Sequence, residues 1–149
     1  MTHEHFMAAA LAQARLGLAA GEVPIGAVAV VGGVIVARAF NQPIGATDPT
    51  AHAEVLVLRD AAKQAGNYRL VDATVYVTVE PCLMCVGALV HARVRDVVYG
   101  APEPRTGALV SITSAHETPG LNHRLTVTGG VLEVECRDLI QQFFRDRRR

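Results

Sequence analysis

Residues 73–99 read as a strand, a helix and a second strand joined by short turns, an order that constrains how the two strands can lie. Across Ala73–Val79 the side chains alternate, with Val75, Val77 and Val79 on one face and Thr74, Tyr76 and Thr78 on the other. That is the two-residue period of a strand. Pro81 suits the first position of a helix, where its missing N–H has no helical partner anyway. Cys82, Val86, Leu89 and Val90 then share one helical face, and Val94–Tyr99 reads as the next strand. Two strands linked through a helix over this length lie parallel, with a right-handed crossover.

The flanking segments extend the pattern. Met7, Leu11, Ala14 and Leu18 fall on one face of a first helix that Gly21 and Pro24 end. Ile25–Val31 and Val34–Ala37 are short apolar runs, and Gly32-Gly33 between them suits a two-residue hairpin turn. A second helix is predicted from about Ala51 to Gln64, with Val55, Leu58, Ala62 and Ala65 apolar and Gly66 stopping it. Residues 101–124 hold three prolines and two glycines and read as a long functional loop with room for a short helical turn. Leu125–Thr128 suits an edge strand. A last helix from about Val131 places Leu132, Cys136, Leu139, Ile140 and Phe143 on one side. Alternating elements of this kind make an α/β sheet sandwiched by helices.

The chain has 149 residues, half of them apolar and 19% charged, which suits a single globular domain over 1–149. No apolar run approaches the ~20 residues of a membrane span, and Met1–Phe6 lacks the pattern of a signal peptide. A cytoplasmic protein with no membrane partner is expected. Fourteen basic residues balance fourteen acidic ones, so net charge does not argue for nucleic acid. The terminus is locally basic, with Arg145, Arg147, Arg148 and Arg149 against Asp146; a solvated tail is the plain explanation.

Three cysteines, Cys82, Cys85 and Cys136, cannot all pair within the chain, so Cys-x-x-Cys reads as metal or redox chemistry. Cys82 and Cys85, three apart at a helix start, point to one side, and the positive end of the helix dipole favours their thiolates. His52 opens the other helix. Two sulfurs and one nitrogen suit Zn²⁺, and three ligands leave a position for water. Glu54, two residues past His52, points elsewhere on the turn, so it can stand beside the metal as a general base without being a ligand. The alternative is a closed structural site, His52–Cys82–Cys85–Cys136. Against it, Cys136 falls on an apolar stripe, where a thiol acts as a small core side chain.

His-x-Glu at 52–54 with Pro-Cys-x-x-Cys at 81–85 resembles the signature of zinc-dependent deaminases of nucleobases. In those enzymes zinc lowers the pKa of water toward ~7, and the glutamate moves protons to the ring nitrogen and the leaving amine. More of the chain resembles the bacterial tRNA adenosine deaminases of the cytidine deaminase-like superfamily. The matching segments are Pro43-Ile44-Gly45, Asp48-Pro49-Thr50-Ala51-His52-Ala53-Glu54, Asn67-Tyr68-Arg69-Leu70, Glu80-Pro81-Cys82-Leu83-Met84-Cys85, Thr106-Gly107, Asn122-His123 and Phe143-Phe144-Arg145. The resemblance implies a three-layer α/β/α sandwich with a central mixed sheet of about five strands. It implies one Zn²⁺ per chain, no organic cofactor, a homodimer, and wobble adenosine in a tRNA anticodon loop as substrate.

By the same resemblance, Asn41 would contact the target nucleoside, Ile25 would wall the base pocket, and the Pro81 backbone would help orient the leaving amine. Glu103, Arg105, Phe144 and Arg148 would touch flanking nucleotides, although the family usually has Asp where this chain has Glu103. Phe143 and Phe144 are adjacent and cannot share one face, so Phe143 is expected buried and Phe144 nearer the surface. Asn122-His123 has a plainer explanation as a turn. Two other function classes stay open: a deaminase of a free base or nucleoside (guanine, cytosine or cytidine), and a non-catalytic zinc module that binds RNA. The aromatic, basic terminus favours tRNA over the first, and Glu54 argues against the second.

Overall fold

The computed structural model describes residues 2–147. Its elements run α1 (His3–Ala19), β1 (Gly26–Val31), β2 (Val34–Phe40), α2 (Ala53–Ala65), β3 (Thr74–Val79), α3 (Leu83–His91), β4 (Asp96–Ala101), β5 (Thr126–Thr128) and α4 (Glu133–Arg147), with a short 3-10 turn at Ala115–Glu117. The five strands form one sheet in the order β2-β1-β3-β4-β5. β1 is antiparallel to both β2 and β3, whereas β3–β4 and β4–β5 are parallel. The β3–α3–β4 unit thus supplies the parallel pair that the alternating run at 73–99 requires. Gly32 and Gly33 turn the β1–β2 hairpin with φ of 59° and 77°, values that favour glycine at both positions.

Strand alternation sorts the core into two layers. Ala27, Ala29, Val75, Val77 and Val97 face α2 and α3, where Val57, Leu58, Val86 and Leu89 cover them. Val28, Val30, Tyr76 and Val98 face the other way and meet Phe6, Met7, Ala10 and Leu11 of α1 with Cys136 of α4. Both faces of β3 are therefore buried. The result is the three-layer α/β/α sandwich with a mixed five-stranded sheet.

Four expectations need correction. The covered face of α2 is carried by Ala53, Val57, Leu58 and Ala61, whereas Val55 and Ala62 are half-buried and Ala65 is exposed. Pro81 does not open a helix: α3 begins at Leu83, and Cys82 is its N-cap with φ −78° and ψ 175°. The Pro81 carbonyl instead accepts the Ala108 N–H at 2.9 Å, and the first helical bond runs from Val86 N–H to the Cys82 carbonyl at 2.9 Å. Leu18 is exposed, and Phe6, Ala10 and Gly17 join Met7, Leu11 and Ala14 in the buried stripe of α1. α4 starts at Glu133, after Leu132 takes a positive φ of 52°. Among the described residues, no helix is long and apolar enough to cross a membrane.

Candidate active site

The N-termini of α2 and α3 meet in the layer that these two helices form on one face of the sheet. His52 and Cys82 are their N-cap residues, both in extended backbone, and neither makes a side-chain cap bond. An N-cap side chain ordinarily accepts a helical N–H; these two instead face one another. Cys82 Sγ lies 3.6 Å from His52 Nδ1, and Cys85 Sγ lies 3.3 Å from it. The three donor atoms all fall within 4.8 Å of one another. Tetrahedral zinc with Zn–S of about 2.3 Å and Zn–N of about 2.0 Å has an S···N edge of roughly 3.6 Å. The donor set and its spacing therefore fit a zinc ion.

Cys136 takes no part. It is buried in the other layer, against α1 and β4, and burial pushes its thiol up to about 12. The four-ligand alternative is thereby excluded. The two motif thiols behave differently. A hydrogen bond from Cys85 is the largest effect on Cys82 and, with His52 beside it, holds Cys82 down to about 4. The same bond, with burial, raises Cys85. The hydrogen bond to Cys82 likewise raises His52.

Glu54 is 4% exposed, in the first turn of α2. Burial pushes its carboxyl up to about 7, a value suited to accepting and returning a proton near neutrality. A cavity of about 190 Å³ opens over these groups. His52, Glu54 and Cys82 line it together with Ile25, Asn41, Glu103 and Phe144. Asn41 is buried, and its side-chain oxygen accepts the Ala53 N–H at 3.2 Å.

The remaining expected residues divide. Cys85 lies beneath the cavity, fully buried. Arg105 is exposed and does not line the cavity; its N–H donates to Glu103 Oε1 at 2.9 Å. Phe143 is 9% exposed and Phe144 44%, with the rings 5.3 Å apart at 72°. Arg148 lies outside the described residues. Asn122-His123 serves the loop: a His123 ring nitrogen meets the Val94 carbonyl at 2.7 Å, and the Asn122 carbonyl accepts from Arg93 at 3.4 Å. A wider, open depression of about 620 Å³ beside β5, bounded by His116, Glu117, Arg124 and Thr126, holds none of the reacting groups.

Sequence reasoning passed over Val23, Val79, Glu80, Thr106 and Ile140, all of which line the cavity. Thr106 and Glu80 stood within matched segments, so the resemblance carried a signal for them. Ile140 was expected on the buried stripe of the last helix, and the apolar pattern alone does not separate a core wall from a cavity wall.

Fold and site together are those of a deaminase of the cytidine deaminase-like kind. Comparison with known proteins narrows this. The chain belongs to the MafB19-like deaminase family, whose profile matches residues 1–148. It is 44% identical over 146 residues to the tRNA-specific adenosine deaminase of Haemophilus influenzae, covering 97% of this chain and 84% of the relative. It is likewise 44% identical over 146 residues to the tRNA-specific adenosine deaminase of Bacillus subtilis, covering 98% and 91%. A solved structure from a study of A-to-I editing by tRNA:A34 deaminases at the wobble position of transfer RNA superposes with a TM-score of 0.88. That chain is 42% identical, with 91% of this chain and 98% of that one covered.

Proposed function

We propose that this protein is a hydrolytic tRNA adenosine deaminase, converting adenosine to inosine at the wobble position of an anticodon loop with release of ammonia. The observation that carries the reading is the buried Glu54 beside the His52–Cys82–Cys85 triad in a protein whose relatives are named for this activity. The reading of a free-base or free-nucleoside deaminase has less behind it. Phe144 at the cavity mouth, near the basic end of α4, is a surface a free base would not need.

His52, Cys82 and Cys85 would hold one Zn²⁺. When bound, zinc supplies an electron-pair acceptor that makes water acidic enough to serve as nucleophile near neutral pH. Glu54 takes a proton from the attacking water and delivers protons to the purine ring nitrogen and to the departing amine. One water is consumed and one ammonia leaves, so a carbonyl replaces the amino group. Asn41 offers its amide N–H groups to the nucleoside, Ile25 walls the base, and the Pro81 backbone orients the leaving amine. Glu103, Arg105, Phe144 and Arg148 serve the flanking nucleotides, with stacking on Phe144 the aromatic part of that grip. A base in a loop reaches so recessed a group only when turned out of its stack.

The chain works as one deaminase domain in the cytoplasm and pairs as a homodimer. The exposed Leu83 and Met84 of α3 and the exposed Val110 and Ile112 of the loop after β4 offer apolar surface for the pairing. The deciding experiment is incubation of the purified protein with an anticodon stem-loop bearing a wobble adenosine, alongside free adenosine, cytidine and guanine. Inosine in the RNA with stoichiometric ammonia is expected. Rapid guanine turnover without inosine in the RNA would overturn the reading.

A further inference from the structure

Glu80 sits between the end of β3 and Pro81, and is 3% exposed. Its Oε2 accepts three successive backbone N–H groups: Leu109 at 3.1 Å, Val110 at 2.8 Å and Ser111 at 3.0 Å. Its Oε1 accepts the Glu103 N–H at 3.1 Å and the Ser111 hydroxyl. Convergent successive N–H groups make an anion-binding concavity of the kind that elsewhere takes phosphate. Here a carboxylate of the same chain fills it. The fit is close enough to dictate the glycine beneath: a Cβ on Gly107 would lie 2.4 Å from both Cδ and Oε1 of Glu80.

The clamped segment is the one that faces substrate. Glu103 and Thr106 line the cavity with Glu54 and His52, and no strand or helix holds them, since the chain between β4 and the 3-10 turn is loop. Glu80 is also two residues from Cys82, and the Pro81 carbonyl between them takes the Ala108 N–H at 2.9 Å. One short stretch therefore carries a metal donor and also fixes the loop opposite it. None of this is what an anchor on a plain surface loop needs; a polar side chain facing water would suffice there.

We propose that Glu80 is a positioning residue for RNA recognition. Through the backbone of 103 and 109–111 it sets where Glu103 and Thr106 stand relative to the reacting groups, so it governs how the nucleotides around the target are held. This rests on the reading of the site as a tRNA deaminase. Glu80→Gln keeps the shape but turns one of the two acceptors into a donor, so one set of N–H groups loses its partner. Ser111→Ala removes a single hydroxyl donor and leaves the four backbone bonds, giving a milder second variant if the first folds poorly.

The test compares parent, Glu80→Gln and Ser111→Ala, each loaded with zinc, by amide hydrogen exchange and by steady-state kinetics on the anticodon stem-loop. In Glu80→Gln, exchange across 101–112 should speed by ~10-fold or more while 53–65 is unmoved, with zinc still about one per chain. KM should rise ~10-fold or more and by a larger factor than kcat falls, since misplacement of a binding group by about 1 Å carries costs of that order. Ser111→Ala should lie between. Faster exchange with unchanged KM would make Glu80 a structural anchor only and overturn the proposal. So would unaltered exchange, or a kcat loss exceeding the KM rise. If the parent leaves the stem-loop untouched, the wobble-adenosine reading falls by itself. The KM comparison then passes to whichever base or nucleoside the parent deaminates, where an unchanged KM again overturns the role of Glu80.

Discussion

The side-chain oxygen of Asn41 accepts the backbone N–H of Ala53 at 3.2 Å, between His52 and Glu54 in sequence. The loop after β2 is thereby tied to the first turn of α2, and the oxygen that could have met substrate is already engaged. What Asn41 has left for the cavity is its pair of amide N–H donors and the second lone pair of that oxygen. Asn41→Asp keeps an acceptor for Ala53 at a helix N-terminus, where negative charge is favoured, but has no donors. Its melting temperature should stay close to the parent's, while KM for the stem-loop rises by about tenfold, the worth of one lost hydrogen bond of ~1.5 kcal/mol. A melting temperature lowered with KM intact would assign Asn41 to the loop alone.

Glu54→Gln preserves volume and removes the proton shuttle. Activity should fall by about 10²–10⁴-fold at least, the range for a placed acid–base group, with zinc content held. Glu54 is not among the three donors that share the metal position, so zinc loss in this variant would contradict the assignment. Residual turnover within about tenfold of the parent would mean that another group moves the protons.

Cys85→Ala and Cys136→Ala make a contrasting pair. The first should lose metal and much of its stability, because the junction of α2 and α3 is closed by that ligand. The second should keep one zinc per chain and lose only packing, since its sulfur lies on the other side of the sheet with α1. Metal analysis of the two proteins at equal concentration distinguishes them.

Phe143 and Phe144 are neighbours with opposite environments. Phe143→Ala removes a ring that is 9% exposed and should cost about 3–5 kcal/mol of stability. Phe144→Ala removes one that is 44% exposed, and should leave the melting temperature nearly unmoved. It should weaken the stem-loop by roughly 10- to 100-fold, following ~1–3 kcal/mol per stacked base. Unfolding and filter-binding curves on both variants check the pair together, and a binding loss no greater than the stability loss in Phe144→Ala would deny it a role at the mouth.

Asp96 supplies a pH test remote from the reacting groups. Burial tends to raise its carboxyl, but hydrogen bonds from Thr126, Arg95 and Thr74 with the Arg95 charge outweigh it and leave the value below the ordinary 3.8. A carboxyl depressed on folding contributes stability above its unfolded value and loses it as pH falls through the lower folded value. The parent should therefore exceed Asp96→Asn in stability by ~1 kcal/mol at neutral pH, with the gap closing as pH drops below about 3.8. Denaturant midpoints from pH 7 down to 3 would show it. A constant gap would place the effect in packing.

What was legible in the sequence follows from what each feature depends on. The cluster of His52, Cys82 and Cys85 with the buried Glu54 was legible because the motifs that bring these residue types together are local in sequence. The strands of the β3–α3–β4 unit were readable because a two-residue period is local. The start of α3 was misplaced because it depends on a distant partner: the Pro81 carbonyl is taken by Ala108, 27 residues on, and the helix waits until Cys82. Glu80 was unremarkable for the same reason, since its partners stand 23 to 31 residues downstream in a loop without periodicity. The α1 stripe erred at Leu18 because Gly17, buried against Phe40 of β2, is the residue that faces the sheet at that turn.

α4 belongs to two structures at once. Cys136 and Phe143 fasten it to the body of the protein, while Ile140 and Phe144 form part of the cavity wall. His52, Glu54, Cys82 and Cys85 come from elsewhere, at the starts of α2 and α3. Substitutions at Ile140 and Phe144 can therefore reshape that wall without touching the His52–Cys82–Cys85 cluster or Glu54.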